Sequence, residues 1–379
     1  MAAMPTDLAA PWRGVRRLLA VRLDNLGDVL MTTPALAAIK QALPGVHTTL
    51  LASPAGAALQ PHLPDVDEVI TFEAPWVQSR CTAAQAGPAV QDLVQRLAAG
   101  RFDAVVVFTV CTQSALPMAM VAMQAGIPLR LAHCRENPYH LLSHWVRDAE
   151  VPGDGMRHEV QRQLDLLAAV GIAPPAQGLP GRPATGLRFM PAPADAASLA
   201  AKLAQAGMDP AAPWFVVHPG ASAESRRYPA ERFAKAAQAV AEAGGGHAVI
   251  VGGPAEAALV QAARPAQAPS TALVGGLSLG ELAALIAGAR ITLCNNSGPA
   301  HIAAALGAPV VVLYALTNPQ HTPWQTPARV LSHDVPCRNC LRSVCPMGHH
   351  ACLLGVPADV VADAAVRLMH ATPLATAPA

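Results

Sequence analysis

The chain has 379 residues, enough at about 100–200 per domain for two domains with their own cores, so a small, staple-dependent scaffold is excluded. Hydrophobic residues make up 52% and aromatics only 4%, so the apolar content is mostly Ala, Leu and Val, as in helices packed on parallel strands. A net charge of +1, with no run of five basic residues, disfavours nucleic acid as a partner.

The opening stretch "MAAMPTDLAAPWRG" lacks a charged start followed by an apolar core, so it does not resemble a secretory signal and reads as a frayed tail. No uninterrupted apolar run reaches the eighteen residues that suggest a transmembrane helix, which leaves contact with a membrane surface open. Further on, "RRLLAVRL", "HTTLLAS", "VDEVITF" and "FDAVVVFTV" read as strands with Ala-rich amphipathic segments between them, which is βαβ repetition. After the helix-like "RHEVQRQLDLLAAVGI" comes "APPAQGLPGRPATGLRFMPAPAD", too rich in Pro and Gly for either element to continue. The domain boundary is expected there, with domains 1–182 and 183–379. Alternation resumes with "WFVVHPGA", "HAVIVGG", "TALVGG", "ITLCNNS" and "VVVLYAL". The fold class is therefore α/β, two doubly wound domains facing each other.

In open α/β sheets, ligands bind beyond the carboxyl ends of strands, where loops feed helix N-termini with free N–H groups. The first such loop holds Asp24, Asn25 and Gly27, and Asp28 falls in the first turn of the helix "DVLMTTPALAAIKQAL". Helix capping accounts for one carboxylate. It leaves the pair, and a Gly27 that permits close backbone approach, without a purpose, whereas a ligand site accounts for all three. In the second domain "HPGAS" ends a strand and "RRYPAERFAKAAQAV" opens the next helix, so Arg226 and Arg227 suit a diphosphate; the alternative is a solvated Arg pair. In "CNNSGPAHIAAALGAP" a strand ends in Asn295 and Asn296, Ser297 and Gly298 turn, Pro299 suits a first helical turn, and His301 shares that helix N-terminus.

Taken together, "RLDNLGDVLMTTPAL", "HPGAS" with "RRYPAERF", "VGGPAE" and "NNSGPAHIAAALGAPVV" occur in the same order as in glycosyltransferase family 9, and the chain resembles that family from about Arg16 to about Met369. The family consists largely of bacterial lipopolysaccharide heptosyltransferases. The resemblance implies a GT-B fold of two Rossmann-like domains facing a central cleft, the N-terminal one binding acceptor and the C-terminal one a nucleotide-sugar donor. It further implies a metal-independent, inverting transfer without a cofactor, in which Asp28 of the "GDV" motif is the general base. By the same comparison Arg226, with Arg227 as neighbour, binds the donor diphosphate. Ser222, Ser297, Gly298 and His301 line it, and Glu256 of "GGPAE" reaches the ribose. Asn296 departs from the Asp of many members, which keeps hydrogen bonding and loses a charge. ADP-heptose is the leading donor and a different nucleotide sugar its rival. The implied acceptor is a lipid A-core oligosaccharide at the cytoplasmic face of the inner membrane, hence a cytoplasmic protein with loose peripheral attachment.

Eight cysteines, several inside apparent strands and helices, read as reduced thiols of a cytoplasmic protein. Four of them, Cys337, Cys340, Cys345 and Cys352, cluster in "CRNCLRSVCPMGHHAC" with His349 and His350, a spacing that permits a structural four-coordinate Zn²⁺ or a redox-sensitive pair; free thiols are the default and no catalytic metal is expected. Two other classes compete with a transferase: a nucleotide-sugar epimerase of the same architecture and a non-catalytic binder. A dehydrogenase is weaker, because no strand runs into a full G-x-G-x-x-G with an acidic residue about 20 positions on.

Overall fold

In the computed structural model, which describes residues 8–77, 81–151, 153 and 155–372, the alternating runs form two parallel sheets of six strands. The first contains β1 (Arg17–Arg22), β2 (His47–Ala52), β3 (Glu68–Thr71), β4 (Ala104–Val107), β5 (Leu129–Cys134) and β6 (His144–Arg147), in the order β3-β2-β1-β4-β5-β6. The second contains β7 (Trp214–His218), β8 (His247–Gly252), β9 (Ser270–Val274), β10 (Thr292–Asn295), β11 (Val310–Leu313) and β12 (Ala328–Leu331), in the order β12-β11-β10-β7-β8-β9. Read from its other edge, the second sheet repeats the first: third, second, first, fourth, fifth, sixth, the doubly wound order. The central strands "AVVV" of β4 and "VVVL" of β11 are buried along their whole length, because helices cover both faces of such a sheet.

Three strands escape the sequence reading. "LRLAHC" of β5, "HWVR" of β6 and "ARVL" of β12 are interrupted by Arg130, His133, Arg147 and Arg329, and β6 and β12 are sheet edges whose residues alternate or face outward. The frayed tail is a second correction. Residues 1–7 lie outside the described residues, but Ala10–Gly14 forms a 3₁₀ turn that buries Trp12 completely, its indole N–H donating to His144 Nε2 at 3.3 Å.

The chain divides into two compact units, Met1–Met190 and Pro191–Ala379. That division falls beyond residue 182 because the end of the Pro/Gly-rich segment is tied to the first unit. Arg188 donates from its backbone to Thr33 Oγ1 (2.9 Å) and from Nε to Asp65 (2.6 Å), and the Met190 N–H reaches the His62 carbonyl (3.0 Å).

One buried histidine of the first unit gives it a pH dependence. His133, almost fully buried on β5, is pushed down to about 4 by burial and then by the charge of Arg162. The unfolded chain titrates this group near 6.5. It therefore takes up the proton first as pH falls, and stability declines between about 6.5 and 4. Urea unfolding of His133→Gln between pH 7 and 4.5 should show a shallower decline than wild type.

Candidate active site

At the switch point of the first sheet, between β1 and β4, the loops following these two strands meet: Gln113 donates its side-chain N–H to Asp24 Oδ1. The helix Leu26–Ala42 starts there, with Asn25 as its exposed N-cap and Gly27 as its second residue. Asp28 does cap it, since Oδ2 accepts the Asn25 N–H at 3.0 Å. Its other oxygen, Oδ1, faces Arg22 Nη2 at 3.3 Å.

Arg22 is a site residue that sequence reasoning missed. It is fully buried at the end of β1 and surrounded by three carboxylates: Nη1 to Glu159 Oε1 at 2.7 Å, Nε beside Asp24 Oδ2 at 2.9 Å, and Nη2 to Asp28. Burial opposes its charge, but Asp24, Glu159 and Asp28 outweigh that and hold the guanidinium above its ordinary range. Asp24 is raised to about 6, by burial first and by the Asp28 charge, against the pull of Arg22. A cavity of about 210 Å³ adjoins this carboxylate, lined among others by Leu23, Trp76, Gln113, Ser114 and Met118. A polar floor and apolar walls of this kind suit a sugar ring with its hydroxyls and C–H faces.

In the second unit the equivalent switch point lies between β7 and β10. Asn295, fully buried at the end of β10, clamps the loop after β7: its Oδ1 accepts the Tyr228 N–H at 3.0 Å and its Nδ2 donates to the Pro219 carbonyl at 2.7 Å. Ser222 is exposed on that loop. Arg227 turns back on it, donating from Nε to the Ala221 carbonyl at 2.8 Å. Arg226 instead keeps a buried Nε with no hydrogen-bond partner among the described residues. Beside them, Ser297 and Gly298 begin the helix Gly298–Leu306, whose first turn holds the buried His301. Asn296 is 3% exposed, and its side chain hydrogen-bonds the Tyr314 hydroxyl. Burial gives a reason for Asn rather than Asp here, since a carboxylate in this place would bear a desolvation cost. A buried, unused guanidinium N–H beside a helix N-terminus is chemistry that suits an anion.

Glu256 comes from the turn after β8. Its Oε2 caps that turn by accepting the Gly253 N–H at 2.9 Å, and its carboxylate lies so close over Gly220 that a Cβ there would stand 1.8 Å from Oε1. A side chain at 220 would have to displace the Glu256 carboxylate. Next to it opens a cavity of about 260 Å³ lined by His218 of "HPGAS", Gly252 and Pro254 of "VGGPAE", and Gly275, Leu277 and Leu279, the last three outside the motifs that the sequence reading singled out. Its mostly apolar wall beside a carboxylate suits a nucleoside.

The four clustered cysteines lie on a strap tied to the same unit. Ser225, next to Arg226, donates its N–H to the Ser343 carbonyl (3.1 Å) and its hydroxyl to the Arg342 carbonyl (2.8 Å). Cys337 Sγ is 3.9 Å from His349 Nε2; burial pushes the Cys345 thiol up, but the backbone N–H groups of His350, Met347, Gly348 and His349 together outweigh it and hold the thiol below its ordinary range. Among the described residues no three His, Cys, Asp or Glu side chains are arranged to hold a metal ion.

Two doubly wound parallel sheets, each with polar residues gathered at its switch point, are the architecture of the GT-B fold class. The pattern "Glycosyltransferase family 9 (heptosyltransferase)" matches residues 90–351, and the chain belongs to that family; it is a glycosyltransferase. The match is narrower than the span from Arg16 to Met369 and does not include the Asp28 loop. The chain is 28% identical to lipopolysaccharide heptosyltransferase 1 of Pseudomonas aeruginosa over 332 residues, 87% of each chain. Among solved structures, a glycosyltransferase family 9 protein from Veillonella parvula superposes with a TM-score of 0.77 at 22% identity, covering 94% of this chain and 98% of the other. The ADP-heptose lipopolysaccharide heptosyltransferase II of E. coli gives 0.70 at 23%, covering 94% and 99%. At such identities the structures speak for the fold.

Proposed function

We propose that this enzyme transfers heptose from ADP-heptose to a lipid A-core oligosaccharide, inverting the anomeric centre without a metal. The unit carrying Asp28 binds acceptor and the unit carrying Arg226 binds donor. The observation that carries the reading is the chemical division between the switch points: a carboxylate network beside a cavity in the first unit, an unused buried Arg226 N–H beside a helix N-terminus in the second. Asp28 takes the proton of the acceptor hydroxyl as its oxygen bonds to the anomeric carbon, and the bond from that carbon to the diphosphate oxygen breaks. Arg226 and the N–H groups at Ser297 and Gly298 receive the charge released on the diphosphate, with Arg227, Ser222, Asn296 and His301 around them. Glu256 holds the ribose, and the cavity beside it takes the base. The names of the relatives support the donor and the acceptor class.

Incubation with a panel of nucleotide sugars, with and without lipid A-core acceptor, tests the proposal. ADP-heptose should be consumed only when acceptor is present, and a chelator should leave the rate unchanged. Consumption without acceptor would favour an epimerase. At the donor site, Arg226→Ala should weaken ADP binding by about 1.5–3 kcal/mol, the range for hydrogen bonds to charged groups, and leave adenosine binding nearly unchanged. Equal losses for both ligands in calorimetry would remove Arg226 from the diphosphate. Among the described residues no helix is long and apolar enough to cross a membrane. The proposed place is the cytoplasm, loosely attached to the inner membrane, and retention after a high-salt wash would count against that.

A further inference from the structure

We propose that Glu159 is a positioning residue for the base: from the buried side it fixes Arg22 in the place where that guanidinium holds Asp28. The inference rests on the reading of Asp28 as the base. Glu159 opens the helix Glu159–Ala168, which packs on the helix Leu26–Ala42, and its side chain is as fully buried as that of Arg22. Asp24 and Asp28, by contrast, keep 10% and 13% of their side chains exposed. The network therefore has a sealed end and an open end, joined by one guanidinium. Gln163 seals the buried end further by donating to Glu159 Oε1.

A purely structural pairing gives no reason for this composition. Arg22 alone faces three carboxylates, and burial raises two of them, Asp24 and Glu159, so burying this set costs more than apolar packing of the same volume. Catalysis gives one. A guanidinium answered by Asp28 alone would stabilise the carboxylate fully and weaken it as a base. Glu159 offsets that charge from behind, and its short contact with Nη1 leaves Nη2 aimed at Asp28. The charged groups acting on Asp24 are Arg22, Asp28 and Glu159, with Gln113 donating to it; Arg162 acts on Glu159 from the same helix.

The test uses Glu159→Gln and the milder Gln163→Leu in the full chain, with the nucleotide sugar and acceptor that the wild-type enzyme consumes, and kcat and KM measured from pH 5 to 8. In Glu159→Gln, kcat should fall on the order of 10²-fold, the cost of about an ångström of misplacement at the reacting group. Donor KM should hold. The acid limb of the kcat profile should move to lower pH, because Arg22, no longer answered by the Glu159 charge, acts more strongly on the Asp28 carboxylate that it faces. Gln163→Leu should move kcat and the limb in the same directions by less, and decides the matter alone should Glu159→Gln fail to fold. Folded variants whose melting temperatures drop while kcat and pH profile stay at wild type would overturn the proposal. Asp28→Asn run in parallel separates the two ideas: its wild-type turnover would defeat the base itself, whereas its inactivity beside normal Glu159→Gln and Gln163→Leu kinetics would defeat only the positioning role.

Discussion

Asp28→Asn is expected to cut turnover by about 10²–10⁴-fold, the usual contribution of general acid–base catalysis, with donor affinity unchanged. The structure makes this a sharp experiment, because Asp28 is both cap and ion-pair partner. An Asn at 28 keeps one oxygen acceptor and can satisfy either the Asn25 N–H or Arg22, while its amide N–H₂ replaces the acceptor at the other. The expected stability loss is one hydrogen bond to a charged or capping group, about 1–3 kcal/mol, which leaves a folded protein. An amide cannot accept the proton. Asp24→Asn is the control: it removes a carboxylate already half-protonated near pH 6, so its effect on turnover should be milder. Should Asp28→Asn keep more than about a tenth of wild-type turnover, well short of the loss general-base catalysis predicts, the base lies elsewhere and Asp28 is a cap.

The strand-end loops were legible because their chemistry stands out from their surroundings. Asp24, Asn25, Asp28, Arg226, Asn296 and His301 interrupt apolar runs at places where a parallel sheet ends, and the doubly wound order gathers them at its two switch points. Arg22 and Glu159 were not legible for the opposite reason. Arg22 sits inside a run that reads as strand, and Glu159 opens an amphipathic helix where a charge reads as solvent-facing. Only the tertiary contact between positions 137 apart turns both into buried partners. The cavity beside Glu256 was hidden likewise, since Gly252, Gly275 and Leu277 come from separate loops and carry no side-chain signature. The role of Asn295 was half legible: its place at the strand end was read, while its clamp on Pro219 and Tyr228 needed the fold.

The second large expected effect concerns stability. Arg162, 1% exposed, is bound on three sides: Nη1 and Nη2 reach Asp148 at 3.2 and 2.9 Å, Nη1 reaches Glu150 at 3.1 Å, and Nε donates to the Thr109 carbonyl at 3.0 Å. Arg162→Leu fills much of the space but leaves the Thr109 carbonyl without its donor, and Asp148 and Glu150 with only the more exposed Arg135 (3.8 Å) and Arg157 (3.0 Å), so it should destabilise the first unit by up to about 3–5 kcal/mol, the cost of breaking a buried pair from one side. Truncating the carboxylate should not add to this. In Arg162→Leu/Asp148→Asn the more buried of the two carboxylates is neutral, and the double variant should be less unstable than the sum of the singles, since the two residues share one network. Arg162 also helps keep His133 neutral, so its loss should flatten the decline in stability between pH 6.5 and 4. Urea unfolding gives all three quantities. A single-variant loss below about 1 kcal/mol, the worth of an exposed pair, would mean that water reaches Asp148 and Glu150 and that the network is not sealed.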